Sequence, residues 1–185
     1  LIVLPAALFG HAGGSRCWML VAFYAAFFGR SAWRLAVHGP LAPPSEDAQR
    51  ATPGRRASQA AFIALMPIGH WAMFALAGTG RQSQGAALLA LGLLSGSVWL
   101  NWAAASRLGA AYDRLVAPGA LVTAGPYKFV RHPIYVSYVA LFLGAALLLR
   151  AWYVGVPMAV LCMLYYRGRV RAEEEVLAGA LGEEG

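Results

Sequence analysis

The sequence predicts an all-α, polytopic membrane protein with about five transmembrane helices, the last two forming a short hairpin that is followed by a cytoplasmic C-terminal helix. Of the 185 residues, 59% are hydrophobic and only 12% are charged, whereas a soluble domain carries roughly a quarter charged residues. The apolar residues also come in blocks too long for globular strands. We interpret 1–185 as a single integral membrane domain with apolar segments at 17–28, 57–78, 86–105, 134–149 and 152–166.

The first three segments are separated by longer connections than the last two. The opening run 1–8 is interpreted as the remainder of a clipped helix, and the Pro-rich stretch 39–45 as an extended connector. In the third segment Gly92 and Gly96 form a GxxxG pair, which allows close helix approach. We expect this pair to pack within the chain, with a homodimer interface as the alternative. Asn101 in the same segment is expected to hydrogen-bond between helices.

The last two segments are joined by only Arg150 and Ala151, so they must run antiparallel as neighbours. Both are short for a bilayer with about 30 Å of hydrocarbon. Aromatic residues of the kind that anchor helices at membrane interfaces flank the second of them: Trp152, Tyr153, Tyr165 and Tyr166.

The charged residues indicate a topology. Twelve of the 15 basic residues and all eight acidic residues lie on one side of these segments, whereas Arg16, Arg81 and Arg150 lie on the other. An excess of Lys and Arg marks the cytoplasmic side. The net charge of +7 is therefore explained by topology, and no nucleic-acid partner is indicated. Cys17 and Cys162 stand far apart with no Cys/His cluster near them, so we expect no metal site.

Two charged stretches on the predicted cytoplasmic side have the residues for chemistry. The stretch 125–135 combines two prolines, cations, an imidazole and aromatic rings at the mouth of an apolar segment, where ionisable groups are costly. Its Pro133 suits the first position of a helix. The stretch 167–175 continues the fifth segment as a charged helix. Because the hairpin brings its two cytoplasmic ends together, we expect these stretches to be neighbours.

Simpler interpretations remain open for each stretch. Lys128 and Arg131 are also explained as snorkelling anchors, and His132 as a helix-capping or interface residue. The Arg/Glu run of 167–175 is also explained as a solvated helix end whose charges pair at a spacing of four.

With these residues in view, the chain resembles the isoprenylcysteine carboxyl methyltransferase family, including its bacterial members, over roughly 95–184. The resemblance rests on three short motifs and a set of separate positions: Leu121-Val122-Thr123, Gly125-Pro126-Tyr127, Val130-Arg131-His132-Pro133, Tyr135, Arg169, Glu173-Glu174, Leu177 and Gly182-Glu183-Glu184. Ser137 stands where the family commonly has glycine. Phospholipid N-methyltransferases and membrane sterol reductases share part of this pattern.

The resemblance implies methyl transfer from S-adenosylmethionine to a lipid-like or small apolar acceptor, such as the carboxylate of an isoprenylcysteine. It implies Arg169 and Glu174 as catalytic residues. It also implies a cofactor pocket lined by Tyr127, Val130, Arg131, His132, Pro133, Tyr135, Glu173 and Glu174. Three alternatives stay open: a phospholipid N-methyltransferase, an NADPH-dependent sterol-type reductase and a non-enzymatic membrane scaffold.

Overall fold

The computed structural model describes residues 4, 7–8, 14–38, 53–108 and 122–182, and the regular structure in these ranges is helical. The all-α prediction is confirmed for this part of the chain. Most of the predicted remainder helix at 1–8, and the whole predicted connector 39–45, lie outside it. Within it are five α-helices and one 3₁₀ turn: α1 Ser15–His38, α2 Pro53–Ala75, α3 Gln84–Leu108, the turn Gly125–Lys128, α4 Pro133–Leu148 and α5 Trp152–Gly182.

Each predicted apolar segment corresponds to one of these helices, although the segments 57–78 and 134–149 run beyond the ends of α2 at Ala75 and α4 at Leu148. α1 continues well beyond residue 28, where the predicted segment ends, so Arg30 is helical. Its Nη1 donates hydrogen bonds to the Trp102 carbonyl at 2.6 Å and to Ser106 Oγ at 2.7 Å. This contact with α3 gives the last turns of α1 a packing partner that the sequence pattern does not reveal.

The core is centred on α4, which packs most extensively against α3 and also against α5, and buried residues of α1 and α2 such as Tyr24 and Phe74 complete it. Glycines permit the close approach. A Cβ at Gly144 of α4 would lie 2.8 Å from Leu94 Cγ, and one at Gly155 of α5 would overlap the Ala146 side chain. At this separation any larger side chain would force the helices apart.

A buried polar pair joins α3 to α4. Asn101 Nδ2 donates to Ser137 Oγ at 3.2 Å, and Ser137 Oγ donates to the Ile134 carbonyl at 2.6 Å. Both side chains are almost wholly buried, so each needs its partner. The prediction of an interhelical hydrogen bond at Asn101 is confirmed.

The expectation that the GxxxG pair packs within the chain is wrong for the described residues, and the homodimer alternative stays a prediction. A Cβ built on Gly92 or Gly96 meets no other atom within 4 Å. The face of α3 that carries them is exposed, together with Leu88, Leu89 and Trp99. Helix α3 uses its opposite face for contact with α4, because that face carries Leu94 and Asn101.

By length and composition, α3 is long and apolar enough to cross a membrane, and two shorter apolar helical stretches cover Ala60–Ala75 and Pro133–Leu148. The number of spans stays a prediction. The bundle nevertheless has two chemically different ends. The arginine end consists of residues 14–18, 76–84 and 147–153, and the motif end of residues 104–108, 122–135 and 165–174. At the arginine end, Arg16 and Arg150 both contact the loop 76–83. This agrees with the prediction that Arg16, Arg81 and Arg150 lie on the same side of the apolar segments.

Candidate functional site

The site begins with a tight turn held by one glycine. Gly125 has a φ of +65°, which disfavours residues with a Cβ. A Cβ there would also lie 3.2 Å from Arg107 Nε on α3. The amides of Phe129 and Val130 both donate to the Pro126 carbonyl at 3.1 Å. Glycine and proline thus fold the turn against the end of α3.

His132 and Pro133 form the start of α4, and this position sets the direction of the His132 side chain. Pro133 is the first residue of α4 and is fully buried, a position where its missing N–H costs no hydrogen bond. His132 is the N-cap, and its carbonyl accepts from the Val136 amide at 3.3 Å. Its side chain is 23% exposed, whereas that of Arg131 is 87% exposed. The imidazole therefore faces the bundle and the guanidinium faces outwards.

Glu174 of α5 joins the two charged stretches. Its Oε1 lies 3.6 Å from Arg131 Nη1 and 3.7 Å from His132 Nε2. The carboxylate is about half exposed, so each contact contributes little to stability. These contacts matter for geometry, because they hold the Arg-His-Pro turn beside the acidic part of α5. The prediction that these stretches are neighbours is confirmed.

Aromatic rings form a stack behind these charges. The His132 and Tyr135 rings are nearly parallel, with centroids 5.7 Å apart, and the Tyr135 and Tyr166 rings stack at 4.3 Å. Arg169 Nε donates a hydrogen bond to the Tyr135 hydroxyl at 3.1 Å. The Tyr135 ring is thus contacted by two other rings and at its hydroxyl, between α4 and α5.

The structure brings five of the predicted residues into one contact network: Arg131, His132, Tyr135, Arg169 and Glu174. Tyr127 and Val130 lie on the preceding turn, half-buried and exposed respectively. Pro133 shapes the turn from a buried position. The side chain of Glu173 lies outside the described part of the chain. The roles assigned to these residues in binding and catalysis remain predictions.

Tyr166 also belongs to this network, although the sequence pattern led us to interpret it as an anchor at the membrane interface. It stacks on Tyr135 and also contacts Tyr138 and Phe62. The hairpin offered a clue. Tyr135 and Tyr166 are almost equally distant from Arg150 along the chain, so an antiparallel pair of helices must bring them level.

This arrangement provides three kinds of recognition within one cluster. Guanidinium groups bind carboxylates and phosphates, the Glu174 carboxylate accepts from ammonium or hydroxyl groups, and aromatic faces attract cations. Among the described residues no group of three or more His, Cys, Asp or Glu side chains is placed to hold a metal ion. The guanidinium, carboxylate and aromatic groups together suit an organic ligand of mixed charge.

A family model described as phospholipid methyltransferase matches residues 85–184. This region is more than half of the chain and contains α3 from its second residue, the turn, α4 and α5, hence the whole contact network. The search among curated proteins found no match. The chain belongs to the phospholipid methyltransferase family, the family of isoprenylcysteine carboxyl methyltransferase-like proteins.

Proposed function

We propose that this protein is a membrane methyltransferase that uses S-adenosylmethionine to methylate a lipid-like acceptor. The observation that carries the proposal is the contact of Glu174 with Arg131 and His132, which lies inside the region that matches the family. Those contacts join a cationic turn and an acidic helix at one point. A ligand that carries both a carboxylate and positive groups needs this combination.

The residues of the network match the chemical groups of S-adenosylmethionine. Arg131, with its exposed guanidinium, would bind the carboxylate of the cofactor. Glu174 would accept hydrogen bonds from its ammonium or ribose hydroxyls, and the face of Tyr127 would lie near its sulfonium charge. When bound, this cofactor supplies a methyl group on a positively charged sulfur, which leaves with the carbon–sulfur electron pair when a nucleophile takes the methyl.

For the acceptor we propose first a carboxylate such as that of an isoprenylcysteine. A carboxylate is already ionised at neutral pH, so no base has to remove a proton. The protein must orient it and exclude water. Arg169 would hold the acceptor carboxylate, because its hydrogen bond to Tyr135 fixes the guanidinium beside the stack.

A second acceptor class is the amine of a phospholipid headgroup, which the description of the matched family favours. An amine is protonated at neutral pH and must lose a proton before it can accept a methyl group. Glu174 or His132, which lie 3.7 Å apart, would then serve as the base.

We also propose that all five helices cross the bilayer, with the motif end on the cytoplasmic side. The separation of Arg16 and Arg150 from the charged network supports this orientation, as does the positive-inside bias of the sequence. An acceptor with an apolar tail would reach the motif end from the membrane.

The experiment is a calorimetric titration of the purified full-length chain with S-adenosylmethionine and, separately, with NADPH. We expect S-adenosylmethionine to bind and Glu174→Gln to weaken it about tenfold, the loss of one charged hydrogen bond. Arg131→Gln should weaken it similarly. Arg167→Gln, which removes an exposed cation from the same end, is the matched control. Binding of NADPH with no heat from S-adenosylmethionine would overturn the proposal in favour of a reductase.

The acceptor is then identified by transfer of a radiolabelled methyl group into a total lipid extract. Label in an alkali-labile ester indicates a carboxylate acceptor, whereas label in a phospholipid headgroup that survives mild alkali indicates an amine. Label in neither fraction, from a protein that binds the cofactor, would exclude both acceptor classes.

A further inference from the structure

We propose that the apolar tail of the acceptor enters and binds between α5 and the first half of α2, residues 53–66, and that this half swings outwards at Pro67 to admit it. The inference rests on the proposed function, because it gives the lipid-like acceptor a place. Pro67 lies inside α2 and has no N–H, so the Ile63 carbonyl lacks its helical hydrogen bond. Sharp bends in helices occur at such positions.

The two halves of α2 differ in how firmly they are packed. After Pro67, the buried residues of the helix are Gly69, Met73 and Phe74. A Cβ at Gly69 would overlap the Met158 side chain of α5. Before Pro67, every side chain of the helix that the structure describes is exposed or half-buried. A segment with few buried apolar contacts opens at a lower free energy than the rest of a fold.

The chain that follows α2 is fixed to the α4–α5 connection. The Tyr153 hydroxyl donates to the Leu76 carbonyl at 2.6 Å, and the Gly78 amide donates to the Leu149 carbonyl at 2.8 Å. These hydrogen bonds hold the far end of α2 against α4 and α5. A movement of the first half is therefore taken up at Pro67, where the helical hydrogen bonding is already interrupted.

An aromatic contact joins the first half of α2 to the candidate site. Among its described side chains, Phe62 and Met66 pack against the core. The Phe62 ring stacks on Tyr165, with centroids 4.0 Å apart, and meets the Tyr166 ring at 5.8 Å. Tyr166 in turn stacks on Tyr135 at 4.3 Å. Phe62 thus covers rings that are continuous with the contact network of the site.

An apolar chain suits the place that the Phe62 ring leaves when this half swings out. The movement uncovers apolar faces of Tyr165 and Tyr166, and a carbon chain would bury them again. Ile63 and Leu65 on the same half are 61% and 43% exposed, which suits contact with the hydrocarbon. A tail therefore reaches the opening from the bilayer. Isoprenoid and acyl chains have the same chemistry toward these rings.

The test measures distances between spin labels by electron paramagnetic resonance, in the full-length chain in phosphatidylcholine nanodiscs. The two cysteines of the chain, Cys17 and Cys162, are replaced by alanine. Labels at Ile63→Cys and Leu89→Cys follow the first half of α2 relative to α3, and labels at Ile68→Cys and Leu89→Cys follow the second half. All three labelled positions are exposed. We expect a broader distance distribution for the Ile63 pair than for the Ile68 pair.

Two probes distinguish the sources of the tail. S-farnesylcysteine supplies an isoprenoid chain, and phosphatidylethanolamine added to the discs supplies a phospholipid with a methylatable amine. A shift of the Ile63 pair to longer distances with the first probe identifies an isoprenoid tail. A shift with the second probe identifies a phospholipid tail, because phosphatidylcholine is present throughout. A distribution that neither probe changes would overturn the proposal.

The decisive variant is Pro67→Ala, which restores the missing N–H and favours an unbroken helix. We expect the distribution of the Ile63 pair to narrow to the width of the Ile68 pair and the response to the probe to be lost. Pro157→Ala is the matched control, because Pro157 is likewise inside a helix, α5, and its replacement should leave both features intact. The proposal fails if the two label pairs are equally broad in the parent chain. It also fails if Pro67→Ala changes nothing or if Pro157→Ala has the same effect.

These measurements need no methyl transfer, so they separate this inference from the proposed function. A chain that responds to a probe but does not bind S-adenosylmethionine in calorimetry retains the tail site and loses the methyltransferase assignment. A chain that binds S-adenosylmethionine but shows no label response retains that assignment and loses the tail site.

Discussion

Arg169 of α5 donates a hydrogen bond through Nε to the hydroxyl of Tyr135 on α4, at 3.1 Å. The bond closes the open end of the hairpin, where no backbone connection holds the two helices. It also joins the ring that stacks on His132 to the helix that carries Glu174. The geometry of the candidate site therefore depends on side chains that cross between α4 and α5.

Tyr135→Phe removes the acceptor of this hydrogen bond and keeps the ring. We expect the fold to be retained and the affinity for S-adenosylmethionine to fall about tenfold, because a hydrogen bond to a charged group is worth roughly 1.5–3 kcal/mol. Calorimetric titration measures the change. Tyr153→Phe is the control, since it removes a hydroxyl bonded to Leu76 at the other end. Equal losses in both variants would argue against a specific role for Tyr135.

Tyr166→Leu removes one side of the aromatic stack and keeps an apolar side chain. Aromatic pairs contribute about 0.5–1.5 kcal/mol beyond their buried area, so we expect cofactor affinity to fall several-fold as the Tyr135 ring loses its support. The matched control is Tyr165→Leu, because Tyr165 stacks on Phe62 at 4.0 Å instead. If Tyr165→Leu weakens binding more than Tyr166→Leu, the positioning role belongs elsewhere.

Asn101→Ala removes the hydrogen bond that joins α3 to α4. We expect the free energy of unfolding in detergent to fall by about 1 kcal/mol, within the range for polar contacts between helices in membrane proteins. Ser137→Ala and the double variant complete a cycle that isolates the pair. Additive effects of the two substitutions would show that Asn101 and Ser137 do not stabilise each other.

Two glycines of α5 should respond to alanine in opposite directions. A Cβ at Gly155 would overlap the Ala146 side chain and lie 3.1 Å from Ala146 Cα, so Gly155→Ala should destabilise the fold by about 1–3 kcal/mol. Gly168 has open space around it, so Gly168→Ala should stabilise the helix by roughly 0.5–1 kcal/mol. Unfolding in detergent measures both, and a stable Gly155→Ala variant would contradict the close packing of the hairpin.

Several features of the fold were predictable because they depend on local patterns. The apolar segments identified the five helices, since hydrophobic blocks of this length have few other uses. The two-residue connection at 150–151 predicted the hairpin, and the hairpin predicted that 125–135 and 167–175 meet. The family resemblance, which rested on residues in and near those two stretches, was confirmed by the family match over 85–184.

Other features arise only when helices meet. Which face of α3 is buried depends on where α4 lies. Gly92 and Gly96 therefore face outwards, although their spacing suits a helix–helix contact. The extension of α1 depends on Arg30 reaching α3. The hydrogen bond of Arg169 to Tyr135 requires that α4 and α5 each have a particular orientation about their axes. Composition does not specify these orientations.

The amino-acid sequence alone determined the helical class, the order of the elements, the hairpin and the two stretches that carry the charged motif, because these follow from hydrophobicity, chain connectivity and residue type. The tertiary structure decided which side chains share one site. It placed Glu174 between Arg131 and His132, and it stacked Tyr166 on Tyr135. These contacts depend on distances and rotations between helices, which are set by packing of the whole bundle.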